Sequence, residues 1–399
     1  MHLVKKLSDD LNNPQLSTGK RYPELLDAPA GNIKILYLGT LLNKAGLYRC
    51  ILPKLELQKH GYSVIINSIM RDYDGNNFIE HYDLKVKKDL IVWANLIILP
   101  AITDNIAPLV DDIKKINKYA AVAMDMDRNY HRLPPNSTEG VFYATTRQRQ
   151  LIDNLSRCDA ILVADSSIEE FYQIEIQKNH PEAKPNFVIF GNYLSLHLFD
   201  DIIKEQKNQN QELETKIPKP APKNPIFNLL LYSDPVDYSD INSNREVYNW
   251  LLRTYPQVKL TVFGNPSSWK NKIALRDVQH TFIASKNIFE YTRQLHALQP
   301  DAAFVPINRN ENCYRANIKL LELCSLGIPI ITYHIPPYSN FDTVVQCGVT
   351  RKNIQEIFNE VMKEPKAIQN LGDKAHAHVW GNCSYESAGI INHIKEALK

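Results

Sequence analysis

Short apolar blocks alternate with longer amphipathic stretches along most of this chain. Ile33–Gly39 reads as a buried strand, and Leu47–His60 as an amphipathic helix closed by Gly61, the residue type on which helices most often stop. Ser63–Asn67 is a second strand. The cycle repeats with strand Leu96–Pro100, helix Asn105–Lys118, strand Ala120–Met124, helix Thr146–Arg157 and strand Ala160–Ala164. Apolar strands alternating with helices predict a parallel sheet covered on both faces.

The rhythm breaks at Lys204–Asn224, KEQKNQNQELETKIPKPAPKN, which has almost no large apolar residue and cannot bury enough surface to fold alone. It then resumes. Phe227–Tyr232, Val258–Phe263, Thr281–Ala284, Ala302–Pro306 and Ile328–Tyr333 are strands, and Arg245–Thr254, Ile288–Ala297 and Arg315–Leu326 are helices. After Lys352 the pattern is helical to Lys399. The expected division is a first domain over 1–203, a linker or exposed loop over 204–226 and a second domain over 227–399, whose final helices pack back on the first. Both domains are α/β and doubly wound, of Rossmann-like type. Such sheets bind ligands at the carboxyl ends of their strands, so two facing domains would place an active site in the cleft between them.

Length and composition sharpen this. At 399 residues the chain is too long for one ordinary core, which favours two domains. With 46 Lys and Arg against 44 Asp and Glu, no overall field draws it to nucleic acid or an acidic membrane. The start, MHLVKKLSDDLNN, has no apolar run of a secretory signal, and no stretch approaches the roughly 20 apolar residues of a membrane span, so a cytoplasmic location is expected. The six cysteines include no CxxC pair and suggest neither a zinc site nor a disulfide framework.

The most informative segment is Pro300–Tyr333, PDAAFVPINRNENCYRANIKLLELCSLGIPIITY, which reads as strand, loop, helix, Gly turn, strand. Arg315, Lys319 and Glu322 stand at i, i+4 and i+7 and share one face of the helix. On an isolated helix such a stripe is a solvated ion-pair ladder. Here the helix follows a strand's carboxyl end, so its amides, its dipole and Lys319 suit an anion such as a diphosphate, and Glu322 suits ribose hydroxyls.

NIKLLELCSLGIPII resembles the nucleotide-sugar signature of GT-B glycosyltransferases, particularly the large retaining family four. The resemblance implies that Glu322 contacts the donor ribose and that Asn317, Ile318 and Lys319 lie at the diphosphate. It implies that the first domain is the acceptor side and the second the nucleotide-sugar side, with a nucleoside diphosphate sugar as co-substrate and no other cofactor. Where that family commonly carries a further Glu that touches the donor sugar, this chain has Tyr314, with Glu311 out of register.

Two further stretches sit at expected strand ends. ILYLGTLLNKAGLYRCILP carries Gly39 and Gly46, of which Gly46 suits a loop approached closely by a phosphate or sugar; the spacing is not a GxGxxG fingerprint. GLYRCILP is similar to the opening of some bacterial and phage glycosyltransferases, which would put Tyr48 and Arg49 beside the donor phosphates or the acceptor. MDMDRNYHRLPPNS, Met124–Ser137, resembles an acidic stretch of the same group through Asp125, Asp127, Leu133 and Pro134, while Arg128 and Asn129 depart from it. The two aspartates read either as turn caps or as catalytic or acceptor-binding groups. A metal-binding DxD is the second choice, since GT-B enzymes use helix dipoles and basic residues in place of a metal. His131 as a base, Trp269–Lys272 as a phosphate site and Ser166 with Ser167 as hydrolase nucleophiles are weaker candidates.

These readings converge on transfer of a sugar from a nucleoside diphosphate sugar to an acceptor hydroxyl. The developing charge of the leaving group would be met by Lys319, Arg315 or Arg49 and the helix N-terminus, and the acceptor oriented by Asp127, with Asp125 second. The resemblance implies retention. A polysaccharide or glycolipid acceptor is favoured, with DNA as an alternative; oligomeric state is not fixed. The rivals are a phosphorylase or a non-hydrolysing nucleotide-sugar epimerase on the same architecture, a non-catalytic sugar-binding protein, and a dehydrogenase, which lacks its glycine fingerprint.

Overall fold

The computed structural model describes residues 5–7, 9–10, 22–27, 31–39, 44–67, 78–81, 84–133, 135, 138–199, 226–233, 238–264, 275–285, 290–306, 317–334, 338, 341–347, 350–385 and 389–398. The expected linker Lys204–Asn224 lies outside them, as do Trp269–Lys272, Glu311, Tyr314 and Arg315. The chain divides into two compact units. One gathers His2–His131, Phe142–His197 and Ala388–Lys399; the other gathers Arg132–Val141 and Leu198–Ser387.

The first unit is built on six parallel strands: β1 (Lys34–Leu38), β2 (Ser63–Asn67), β5 (Leu96–Pro100), β6 (Ala121–Met126), β7 (Ala160–Val163) and β8 (Asn186–Ile189), in the order β2-β1-β5-β6-β7-β8. An antiparallel pair, β3 (Phe78–His81) and β4 (Leu84–Lys87), stands apart from that sheet. The second unit has another six parallel strands: β9 (Phe227–Ser233), β10 (Val258–Gly264), β11 (Thr281–Ala284), β12 (Ala302–Val305), β13 (Ile330–Tyr333) and β14 (Val345–Cys347). Their order is β11-β10-β9-β12-β13-β14. Taken in chain order within its own sheet this is 3-2-1-4-5-6, the doubly wound dinucleotide-fold order, whose switch point lies between β9 and β12. The first sheet reverses between β1 and β5. Ala302–Val305, continuously apolar, and Ser63–Asn67, apolar between a polar residue at each end, are buried at every position, as strands of a sheet covered on both faces are.

The helices used below are α1 (Leu52–Lys59), α2 (Lys88–Trp93), α3 (Ala107–Ile116), α4 (Thr146–Leu155), α5 (Ser166–Asn179), α6 (Arg245–Thr254), α7 (Tyr291–Ala297), α8 (Ile318–Ser325), α9 (Arg351–Lys363), α10 (Pro365–Asn382) and α11 (Ile390–Ala397). None of the described helices is long and apolar enough to cross a membrane. Gly61 ends α1 at φ +81°, with Gly61 N–H bonded to Gln58 O and Tyr62 N–H to Leu57 O. Gly327 ends α8 at φ +70° with the same pair of bonds, to Cys324 O and Leu323 O. Both are Schellman stops that only glycine enters without strain.

Several elements differ from expectation. The single helix expected over Leu47–His60 is a π-helical turn, Leu47–Ile51, followed by α1, with Leu52 N–H reaching back to Leu47 O. Pro53 has no N–H to give to Arg49, so the regular ladder is interrupted there. α2, α5, β8, β14 and the β3–β4 pair have no counterpart in the sequence expectation. α5 buries only Ile168, Tyr172 and Ile176, while Ile174 is exposed, which blurs its apolar stripe. The expected closing helix is broken into α9, α10 and α11 at Glu364 and around Cys383–Tyr385.

Candidate functional site

The carboxyl end of the first sheet is organised by charge. Arg49, on the π turn, is 3% exposed, and its Nε lies 2.9 Å from Asp125 Oδ2 and 3.2 Å from Oδ1. Its Nη2 also bonds Asp125 Oδ1, making a forked ion pair, while Nη1 donates to Phe190 O at 2.5 Å and Gly191 O at 3.1 Å in the turn after β8. Asp125 is the fifth residue of β6 and is itself buried. Burial pushes its carboxyl above the usual carboxylate value, an effect that the charge and hydrogen bonds of Arg49 oppose and that neighbouring Asp127 reinforces.

Asp127 has different surroundings. Tyr130 Oη donates to its Oδ1 at 2.5 Å, and Arg128 donates to Oδ2 from Nε at 3.1 Å and lies within ion-pair reach through Nη2 at 3.0 Å. Burial raises its pKa, but the Arg128 charge, the Tyr130 hydrogen bond and the Arg49 charge outweigh that and hold the carboxyl below its ordinary value. Two carboxylates two residues apart are thus driven in opposite directions, Asp127 toward a firmly ionised acceptor of hydrogen bonds.

A polar and aromatic shell that sequence reasoning missed surrounds this end of β6. Tyr172 of α5 accepts a hydrogen bond from the Tyr130 N–H at 3.1 Å and meets His131 Nδ1 at 3.3 Å, and Tyr130 packs on Tyr143 with ring centroids 4.5 Å apart. The Asn129 side chain is buried, its oxygen taking the His131 N–H at 3.0 Å. His131 is therefore held within this shell between Phe171 and Tyr172. The next loop of the sheet is braced by Asn154 of α4, fully buried, which donates to Ile102 O and Asp104 O at 2.7 Å and accepts from Ile106 N–H at 3.2 Å. Gly46 is buried in right-handed helical backbone at φ −60°, leading directly into the π turn.

In the second unit, Asn317 stands at the N-cap of α8 without a side-chain capping bond, and Ile318 and Lys319 form its first turn. Lys319 Nζ donates to Tyr232 O at 3.2 Å and lies 5.5 Å from the centre of the Tyr232 ring. Tyr232 is near the carboxyl end of β9, and α8 follows β12, so the ammonium sits at the switch point of this sheet. Glu322, one turn on, is fully buried and accepts a hydrogen bond from Tyr291 Oη of α7. The structure thus brings Asn317, Ile318, Lys319 and Glu322 together on α8, and Arg49, Asp125 and Asp127 together at β6.

No protein-family profile and no characterised protein sequence matches the chain. In three dimensions it is similar to several solved structures. The catalytic domain of starch synthase IV from Arabidopsis thaliana, solved with ADP and acarbose, matches 92% of this chain and 99% of its own at 10% identity and a TM-score of 0.56. A glycosyltransferase from Rickettsia africae ESF-5 matches with the same coverages, 92% and 99%, at 12% identity and a TM-score of 0.55. TarM matches 79% of this chain at 13% identity and a TM-score of 0.51, and the match spans 59% of TarM. Likeness at such identities carries the fold: two Rossmann-like α/β units of the GT-B glycosyltransferase type.

Proposed function

We propose that this chain is a glycosyltransferase that moves a sugar from a nucleoside diphosphate sugar to an acceptor hydroxyl, probed first as a donor-cleaving enzyme. The observation that carries the reading is the place of Lys319, an ammonium at the β9/β12 switch point on the first turn of α8. A diphosphate there meets a cation and the helix's N-terminal amides, which stabilise the charge that develops as the sugar leaves. Asn317 and Ile318 supply backbone at that turn. Glu322 takes the ribose hydroxyls by exchanging Tyr291 for them. Tyr314 and Arg315, the other donor-side candidates of the sequence, lie outside the described residues.

Asp127 is the acceptor-side group, since an ionised carboxylate accepts the hydrogen bond of an attacking hydroxyl and fixes its direction. The starch synthase structure holds ADP, which suits a nucleoside diphosphate as the leaving group here too. Membership of the retaining family four, and with it retention at the anomeric carbon, rests on the segment NIKLLELCSLGIPII. A carbohydrate acceptor, from a polysaccharide or glycolipid intermediate, is the favoured partner. The reaction calls for no cofactor beyond the sugar nucleotide.

The test is a panel of UDP-, ADP-, GDP- and dTDP-sugars, read by thermal shift and by release of nucleoside diphosphate. One of them should raise the melting temperature and be cleaved, and Lys319→Ala and Glu322→Ala should weaken both effects. If no sugar nucleotide shifts the melting temperature and Glu322→Ala changes nothing, the proposal falls.

A further inference from the structure

Every nitrogen of the Arg49 guanidinium is engaged by the protein. Nε and Nη2 hold Asp125, Nη1 holds the carbonyls of Phe190 and Gly191 and reaches Asn192 Oδ1 at 3.5 Å, and Cζ lies 4.9 Å from the Phe190 ring centre. A ligand for a solvent-borne diphosphate needs donors that face solvent, and this side chain is 3% exposed. Its partners come from two segments, the end of β6 and the turn after β8, so that with its own π turn it joins three stretches distant in sequence. A planar fork with several fixed donors can bridge three such segments, which an ammonium on a flexible stem cannot.

Asp127 lies two residues beyond Asp125, on the same stretch of chain that this fork pins. We propose that Arg49 is a positioning residue: together with Asp125 it locks the π turn, the end of β6 and the turn after β8 into one frame that sets the Asp127 carboxylate for the acceptor hydroxyl. In this assignment Arg49 does not touch the donor phosphates, and the Leu47–Ile51 π turn exists to aim its side chain inward. The inference rests on the transferase reading and deepens its acceptor half.

The experiment uses the full chain with Arg49→Lys, Arg49→Met and the paired Arg49→Met/Asp125→Leu. Binding of UDP and ADP is measured by calorimetry, and turnover by nucleoside diphosphate release from UDP-glucose and ADP-glucose, with water and with D-glucose offered as acceptor. Every variant that folds should bind the nucleoside diphosphate within about 2-fold of the parent. Turnover should fall on the order of 10- to 100-fold, as misplacing a reacting group does. Arg49→Lys should retain more turnover than Arg49→Met, and the paired apolar variant should regain the thermal midpoint without regaining turnover. Two results overturn the proposal. One is diphosphate binding weakened by about 10-fold or more in Arg49→Met with turnover kept at saturation, the signature of a phosphate ligand. The other is turnover restored with the midpoint in the paired variant, the signature of packing alone. A parent protein that none of the UDP-, ADP-, GDP- and dTDP-sugars stabilises and that cleaves none of them sinks the transferase reading instead, before any substitution is compared; where the panel selects a GDP- or dTDP-sugar, the same measurements use that donor and its diphosphate.

Discussion

Removing the Asp125 carboxylate takes the forked partner from a buried guanidinium and leaves it with the carbonyls of Phe190 and Gly191, the Asn192 side chain and the charge of Asp127. Asp125→Ala should therefore cost about 3–5 kcal/mol, seen as a lower midpoint in urea unfolding. Asp127→Asn keeps the shape but removes the ionised acceptor; we expect turnover to drop on the order of 100-fold with nucleoside diphosphate affinity unchanged by calorimetry. The phenols of Tyr37, Tyr130 and Tyr172 give a pH test. Burial raises all three above the ordinary value, with the Cys50 and Asp125 charges adding at Tyr37 and Asp127 adding at Tyr130. Because the fold favours the neutral phenol, this stabilisation is whole below the unfolded value near 10 and is lost as pH rises through the folded values. Ultraviolet titration should show these three ionising only together with alkaline unfolding; separate, reversible ionisation in the folded chain would contradict it. Asp125 and Asp127 were legible in the sequence as candidates because they stand at an expected strand end, and Arg49 through the resemblance of GLYRCILP. The pairing of Arg49 with Asp125 was not, since periodicity reports which face a residue occupies and nothing about a partner 76 positions away. Asn129, Tyr130 and Tyr172 gave no signal for the same reason.

A Cβ on Gly372 of α10 would stand 2.4 Å from Gly327 O and 2.9 Å from the Pro329 side chain, so α10 lies tight against the turn that ends α8. His376 Nδ1 and Trp380 Nε1 of α10 also meet Ser325 O, at 2.8 Å and 3.3 Å. Gly372→Ala should thus cost about 1–3 kcal/mol by overpacking. Gly381→Ala, on the same helix with nothing near its Cβ, should stabilise by up to ~1 kcal/mol, so the two melting temperatures should move in opposite directions. Asn154→Ala should expose the 101–106 loop to rapid hydrogen exchange, because that one amide satisfies three of its backbone groups. The strands were easy to read as runs of apolar residues, and Gly61 and Gly327 marked helix ends correctly. The π turn was hidden because its five buried residues look like any helix interior, and only Pro53 hints at a broken ladder. β8 went unread although Phe187–Phe190 is a short apolar run; as an edge strand it leaves Asn186 and Ile189 exposed.

At the level of the whole chain, α11 belongs to the first unit although more than a hundred residues of the second precede it. It lies against β7 and β8, and Asn186 Nδ2 of β8 donates to Glu396 O of α11 at 2.6 Å. A chain stopped at Ser387 should lose protection from hydrogen exchange across 160–163 and 186–189 while β9 to β13 keep theirs; equal loss in both sheets would count against α11 as a member of the first unit alone. The order of synthesis follows from the same helix. β8 leaves the ribosome about 200 residues ahead of α11, a wait of roughly 10–40 s at ordinary elongation rates. Through that interval the outer strand of the first sheet lacks α11 while the second sheet is being made, so the first unit is completed only after the second has been synthesised, and the nascent chain is open to edge pairing at β8.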